Sequence, residues 1–420
     1  MRMRLRRSTG VVTLSWGLID QGFSSATNLG LAVLAGRNAG PGGLGVVYLG
    51  FSAYLVALTM QRALITDPMI VVSAPHQPVD RAAAARRALT VVIAAGVVTT
   101  VLLVLLGLVL PASIGTGLLF FVPWLLGTLV QDFWRALLFR DRRGGAAALN
   151  DGVWAAAMAA SIPLLLVFHN QWIVVSTWGI GAVAGGLLGF WQSGLRPAGL
   201  RVSLRWWKCD LWPLARWLGP ESALLVVQGH AVVFALVAIL GTADVGGLRA
   251  VQAVFAPMTL LAQAITFPGL PLLAAMAVTS RRLARVWALR LSAVGVGLVL
   301  AYLLVLSLLP RHLLGVVFGS AFDPFDSLIA PIGVLQVLSA ASLCVGLLVK
   351  AEGRVRALLL NRVIAAVATV ILSVALAVAG GLTAAAWGMT VAAAIGSITI
   401  AVIAFWPGSQ PIRAVSQPLP

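Results

Sequence analysis

Residues 16–36 read WGLIDQGFSSATNLGLAVLAG, and inside this apolar stretch Asp20, Ser24, Thr27 and Asn28 recur at i, i+4, i+7 and i+8. On a helix that spacing puts them on one face. The stretch is long enough to cross a bilayer, where a charge near the centre costs roughly 2.5–3.5 kcal/mol on insertion scales. A stripe of this kind turns away from lipid, toward a partner helix or a wet cavity. Two readings stand side by side. Asp20, Ser24 and Asn28 line an ion-coupling or substrate cleft, or Asp20 is a packing contact paired to Arg62.

Other polar groups repeat the pattern. Thr128, Gln131, Asp132 and Arg135 share a face at i, i+3, i+4 and i+7, and Arg62 lies near the end of an apolar run. Arg62 and Arg135, with Asp132, are candidates for a cationic pocket, since a guanidinium fork suits a diphosphate. Either arginine could instead snorkel to the interface. A weaker stripe, Gln252, Thr259, Gln263 and Thr266, offers neutral hydrogen-bonding groups. Gln252, Gln263 and Thr266 suit sugar hydroxyls and helix–helix contacts equally. Glu221, about one turn past Arg216, reads as an interfacial ion pair, and His230 as a packing residue. The chain has no Walker glycine loop for a nucleotide engine and no Cys/His cluster for a metal, so no cofactor is expected. Cys209 and Cys344 are too few for a disulfide framework and read as inert thiols.

The elements that must position these groups are membrane spans. Of 420 residues 60% are hydrophobic and 10% charged, against about 25% charged in soluble domains. Apolar runs recur at about 10–35, 44–66, 88–110, 115–138, 146–168, 171–193, 214–240, 246–271, 287–309, 326–349, 356–379 and 382–406. The chain is therefore predicted to be an all-α polytopic membrane protein of about 12 transmembrane helices, with short connections and antiparallel neighbours. Pro68 and the pair Pro268 and Pro271 are expected to end the second and eighth spans.

The net charge of +17 does not imply nucleic acid, because the basic residues lie between spans rather than on one patch. Of the 29 Lys and Arg, 23 fall in loops and tails on the N-terminal side; Arg37, Arg249 and Arg311 fall on the other, and Arg62, Arg135 and Arg362 within spans. That asymmetry predicts a multi-pass protein of the inner or plasma membrane with both termini cytoplasmic. The basic N-terminus could lead a signal peptide, but Asp20 and Gln21 interrupt the apolar run.

A basic, Trp-rich segment at 196–213 divides the chain into lobes at 1–195 and 214–406, followed by a tail at 407–420. It is expected to lie at the cytoplasmic interface, with Trp206, Trp207 and Trp212 at headgroup level. The halves match weakly at an offset of 204 residues. AGPGGLGVVYLGFSAYLVALT from Ala39 aligns with ADVGGLRAVQAVFAPMTLLAQ from Ala243, so that Gly42, Gly43, Leu44 and Phe51 meet Gly246, Gly247, Leu248 and Phe255. Six spans per half make these parallel repeats about the membrane normal, a transporter arrangement. The match also argues that the first span is kept, since its counterpart is internal.

The basic start running into a polar first span, GRNAGPGGLGVVYLGFSAYL leading to RALITDP, and RWLGPESALLV leading to LGTADVGGLRAVQAVFAP resemble the polysaccharide and O-antigen flippases of the multidrug/oligosaccharidyl-lipid/polysaccharide (MOP) superfamily. The resemblance implies two six-helix lobes around a cleft lined by spans 1, 2, 7 and 8, with alternating access. It implies a lipid-linked substrate, such as a polyprenyl-diphosphate-linked glycan, with membrane lipids and polysaccharide-assembly enzymes as partners. Drug-exporting relatives carry functional acidic residues in the first span, where Asp20 is similarly placed. This sequence shows no clear second acidic partner at midplane depth. A MATE-like drug/cation antiporter is the main alternative, and a membrane enzyme of polysaccharide assembly the next.

Overall fold

The computed structural model describes residues 2–73, 78–168, 170–310 and 312–405, and among these no strand occurs. α1 (Arg2–Gln61) is two spans broken at Ala39 and Gly40. Gly40 has φ 63, a left-handed turn that glycine adopts without penalty, and Pro41 then opens the next helix. A π-helical turn, Arg62–Thr66, carries that helix into α2 (Asp67–Ser73). α3 (Pro78–Val109), α4 (Ala112–Arg140), α5 (Gly144–Ser161), the short α6 (Leu164–Val167) and α7 (Gln171–Ser193) complete the first half. α8 (Leu200–Trp206) runs through a second π turn, Trp207–Leu211, into α9 (Trp212–Leu240).

The second half holds α10 (Thr242–Val254), α11 (Ala256–Thr279), α12 (Arg281–Ser307) and α13 (Leu313–Phe318). A 3₁₀ segment, Ser320–Leu328, α14 (Ile329–Ala351) and α15 (Val355–Phe405) follow, α15 again being two spans, broken at Gly380 and Gly381. With α5–α6 and α10–α11 each taken as one bent span, the described residues form twelve membrane-length segments, six per half. The chain is an all-α polytopic membrane protein, and the span bounds follow hydropathy closely; the span expected at 171–193 coincides with α7.

The prolines do not end spans as expected. Pro68 lies inside α2, and the helix runs on to Ser73. Pro268 and Pro271 lie inside α11, which continues to Thr279. Pro68 has no N–H to give the Leu64 carbonyl four residues back. The Asp67 N–H instead reaches the Arg62 carbonyl in the π register, and Trp207 Nε1 donates to the Leu64 oxygen at 2.9 Å. An outside donor replaces the bond that proline removes.

By contacts the chain divides into two compact units: Met1–Val226 with Gly241–Ala250, and Val227–Leu240 with Val251–Pro420. In the first, α7 and the α1 run are the most buried helices, 56% of the apolar span of each being buried against 22% for α3. Apolar helices gain no hydrophobic drive from meeting in lipid, so close packing decides. α7 supplies it with glycines against large rings: Gly181 on Trp154, Gly179 on Trp124 and Gly189 on Trp134. Phe51, Tyr54, Phe121 and Trp154 all meet Trp178 within 6.0 Å between centroids. The two copies of the repeated motif also meet inside this unit. A Cβ on Gly246 would fall 1.8 Å from the Pro41 carbonyl oxygen, and one on Gly45 1.8 Å from that of Thr242.

In the second unit the two halves of α15 cross where Gly388 passes the Leu372 carbonyl. Thr390 Oγ1 donates to the Pro331 oxygen at 2.8 Å, tying α15 to α14. Tyr302 OH donates to the Val254 oxygen at 2.7 Å, tying α12 to α10. α12 leaves most of its apolar surface outward, its most apolar window being 17% buried.

Candidate functional site

Three carboxylates and two guanidiniums meet inside the first unit. Arg135 Nε donates to Asp20 Oδ2 at 2.7 Å, and its Nη2 lies 2.5 Å from the same oxygen and 3.2 Å from Gln21 Oε1. Arg135 Nε also lies 3.6 Å from Asp151 Oδ2. One turn deeper along α4, Arg62 grips Asp132 with both arms of its fork, Nε donating to Oδ2 at 2.8 Å and Nη2 to Oδ1. Gln131 Nε2 donates to Asp151 Oδ1 at 2.6 Å and to Asn150 Oδ1 at 3.1 Å. Asn150 Nδ2 reaches the Gly185 carbonyl and Gln192 Oε1 on α7. The network thus joins both spans of α1 to α4, α5 and α7.

Asp20, Asp132 and Asp151 are almost wholly buried. Taking them out of water is tolerable only because guanidiniums and amides supply donors. The ledger is uneven, three carboxylates facing two guanidiniums. Asp20 Oδ1 is buried without a hydrogen-bond partner. The arginines differ in exposure: the Arg62 side chain is 42% exposed and that of Arg135 18%.

Depth follows from α4. Arg135 and Asp132 lie five and eight residues before Arg140, its last residue, or roughly 8 and 12 Å along the axis. Asp20, held by Arg135, therefore lies toward the Arg140 end of α4, on a helix that begins at Arg2 rather than near residue 10. Arg135 does not snorkel, because Asp20 holds it inward. The helix that carries Arg62 runs on past it to Ser73, where Arg140 reaches Ser73 Oγ.

The structure brings together Asp20 with Arg135 and Arg62 with Asp132, not Asp20 with Arg62. Ser24 is half-buried, its carbonyl accepting the Thr27 hydroxyl at 2.9 Å. Asn28 Oδ1 accepts from Trp178 Nε1 at 3.3 Å. Gln252 is half-buried on α10, and Thr266 Oγ1 is spent on the Ala262 carbonyl of its own helix, at 2.7 Å. The side chains of Gln263 and Glu221 lie outside the described residues. Sequence reasoning missed Asp151 and Asn150, and with them the second acidic partner. The available signal was an Asn-Asp pair inside the apolar run at 146–168. Arg135 stands beside both Asp20 and Asp151. Among the described residues no group of three His, Cys, Asp or Glu could hold a metal.

No protein-family model matches the sequence, and no curated protein matches it by sequence. Solved structures do match in fold. The lipid II flippase MurJ, in an inward closed conformation, aligns over 92% of this chain and 86% of its own, at TM-score 0.67 and 11% identity. An inward-facing multidrug-resistance MATE transporter of the MOP superfamily aligns over 92% of both chains, at TM-score 0.67 and 14% identity. A MOP-superfamily transporter from Pyrococcus furiosus, described as having a binding pocket of reverse polarity, aligns over 93% of both at TM-score 0.58 and 15% identity. The chain has the fold shared by the MurJ and MATE members of the MOP superfamily.

Proposed function

We propose that this chain is a transporter that moves a lipid-linked oligosaccharide or polysaccharide precursor from the inner to the outer leaflet by alternating access. The carrying observation is the buried network itself. Charges within spans are costly and are kept where ions or substrates pass. Both guanidiniums are held by carboxylates, and a diphosphate is the ligand that would compete for two forks at once. A carboxylate so released would take up a proton or cation, which couples substrate to an ion gradient or the membrane potential. The half-exposed Arg62 is the first contact in this scheme, and Arg135 the second. Asp20 is the coupling group, Ser24 and Asn28 flank it, and Gln252, Gln263 and Thr266 are left to meet sugars. The lobes of the transporter are residues 1–195 and 214–406, joined by the interfacial segment 196–213. Its partners are a polyprenyl-diphosphate-linked glycan, membrane lipids and the enzymes that assemble polysaccharide.

A MATE-like drug or cation antiporter is supported by the equal fold similarity to the multidrug transporter. Proteoliposomes decide between the two. Movement of a fluorescent polyprenyl-diphosphate oligosaccharide to the far leaflet, and no ion-driven efflux of a cationic dye, is the expected result. Dye efflux without glycolipid movement would replace the flippase with the antiporter.

A further inference from the structure

At the basic end of the first unit a cavity of about 350 Å³ opens between the start of α3, the end of α4 and the end of α7. Arg81, Arg140, Asp141 and Arg143 line it, over a floor that includes Leu137 and Leu138. Among the described lining residues three are arginines and one is an aspartate. Arg140 spends its fork on Asp141, at 2.8 and 3.2 Å, and turns its remaining arm to Ser73 and Met69. Arg143 donates to the Gln192 carbonyl at 2.9 Å, a contact that fixes the side chain without neutralising it. Arg86 Nε pins the chain after α7 by the Arg196 carbonyl, at 3.1 Å, adding two more basic residues to the same end.

The turn after α4, which supplies Asp141 and Arg143 to this site, carries a conformational cost at Arg142. Asp141, Arg142 and Arg143 close α4 with N–H bonds to Leu137, Phe139 and Leu138. Arg142 occupies the left-handed position, φ 59, and is the only described non-glycine residue there. Glycine is the usual residue at that point of a helix end, and an arginine in it is strained.

We infer that this cavity holds the phosphate of an anionic glycerophospholipid from the bilayer. The cavity lies at the polar end of spans whose outer faces are apolar; Trp191, two residues before the lining Ser193 on α7, is 80% exposed and suits headgroup level. A leucine floor under guanidiniums fits the glycerol and first methylenes of a lipid better than a free anion. Basic pockets between spans bind anionic headgroups in this way, and Arg forks match phosphate oxygens. The site is separate from the Arg62 and Arg135 network and does not depend on what the protein transports.

The test uses the purified full-length chain in nanodiscs of phosphatidylcholine, with or without about one part in five phosphatidylglycerol. Variants are Arg81→Gln, Arg143→Gln and the pair, with Arg201→Gln on α8 as control. Native mass spectrometry counts retained lipid, and thermal unfolding reports stability. Wild type and the control are expected to retain phosphatidylglycerol and to melt higher in its presence. Each cavity variant should weaken retention roughly fivefold while melting normally in phosphatidylcholine. Equal retention by wild type and variants overturns the proposal. So does equal stabilisation by the two lipids. Full protection by inorganic phosphate or diphosphate alone overturns the lipid assignment in favour of a soluble anion. If the paired variant fails to fold, the single variants give the same comparison.

Discussion

Asp20 Oδ2 is gripped by Arg135 while Oδ1 has no partner, so the charge and the shape of this side chain can be tested apart. Asp20→Asn keeps the shape and one acceptor for Arg135, which retains Asp151 at 3.6 Å. If Asp20 carries the coupling ion, the variant is expected to fold and express while flipping falls to background. Undiminished flipping in proteoliposomes would reject the coupling role. Arg62 needs a different design. Arg62→Ala leaves Asp132 buried without its partner, which in soluble proteins costs about 3–5 kcal/mol. The double variant Arg62→Ala, Asp132→Ala removes both charges and should melt close to wild type. A diphosphate contact at Arg62 predicts that this stable double variant still fails to bind the substrate; restored binding would make the pair structural. The stripes that contain Asp20, Asp132 and Arg135 were legible in the sequence because helical spacing is local. Their pairing was not, since Arg135 and Asp20 are 115 residues apart and only the packing of α4 on α1 selects that pair over Asp20 with Arg62.

One helical run owes its course to bonds that hydropathy does not encode. Length and apolarity located the spans, but the run from Gln61 through Ser73 survives Pro68 only by the π turn and the Trp207 donor. That turn begins at Arg62 and sets where its side chain points, a use of π register common at functional sites. Trp207→Phe keeps the ring but removes the donor to Leu64. An unsatisfied buried carbonyl costs about 1–3 kcal/mol, so the variant should melt lower and lose transport in proportion. An unchanged melting temperature would mean that the bond contributes nothing. The Gly45 and Gly246 contact makes a sharper claim. No Cβ fits at either site against the facing carbonyl, so Gly246→Ala must part the two copies of the repeated motif. Overpacking of this kind costs about 1–3 kcal/mol. In contrast Gly17→Ala, where a Cβ meets nothing within 4 Å, should be neutral in the same thermal assay.

The orientation of the whole molecule rests on charge. The basic ends of α3, α4 and α7 come together in the first unit, where Arg86 meets the Arg196 carbonyl, Arg140 meets Ser73 and Arg143 meets the Gln192 carbonyl. Asn170, by contrast, caps the opposite end of α7, accepting from the Trp172 and Ile173 N–H groups. The positive-inside rule predicts that the arginine end is cytoplasmic. The chain carries its own probe, since Cys209 is exposed on the α8–α9 segment and Cys344 is buried. In sealed cells an impermeant maleimide should leave wild-type Cys209 unlabelled, and permeabilising the membrane should expose it. With Cys209 replaced by serine, Phe168→Cys beside the α7 cap should label from outside, while Arg142→Cys and Arg282→Cys should label only after permeabilisation. Substituting Phe168, which is 52% exposed, spares the Asn170 cap, whose loss would cost about 1 kcal/mol and blur the reading. Labelling of Arg142→Cys or Arg282→Cys in intact cells would invert the protein. The anionic-lipid cavity and the Arg62 entry point would then both face the outside, and the direction of transport proposed for this chain would be lost with them.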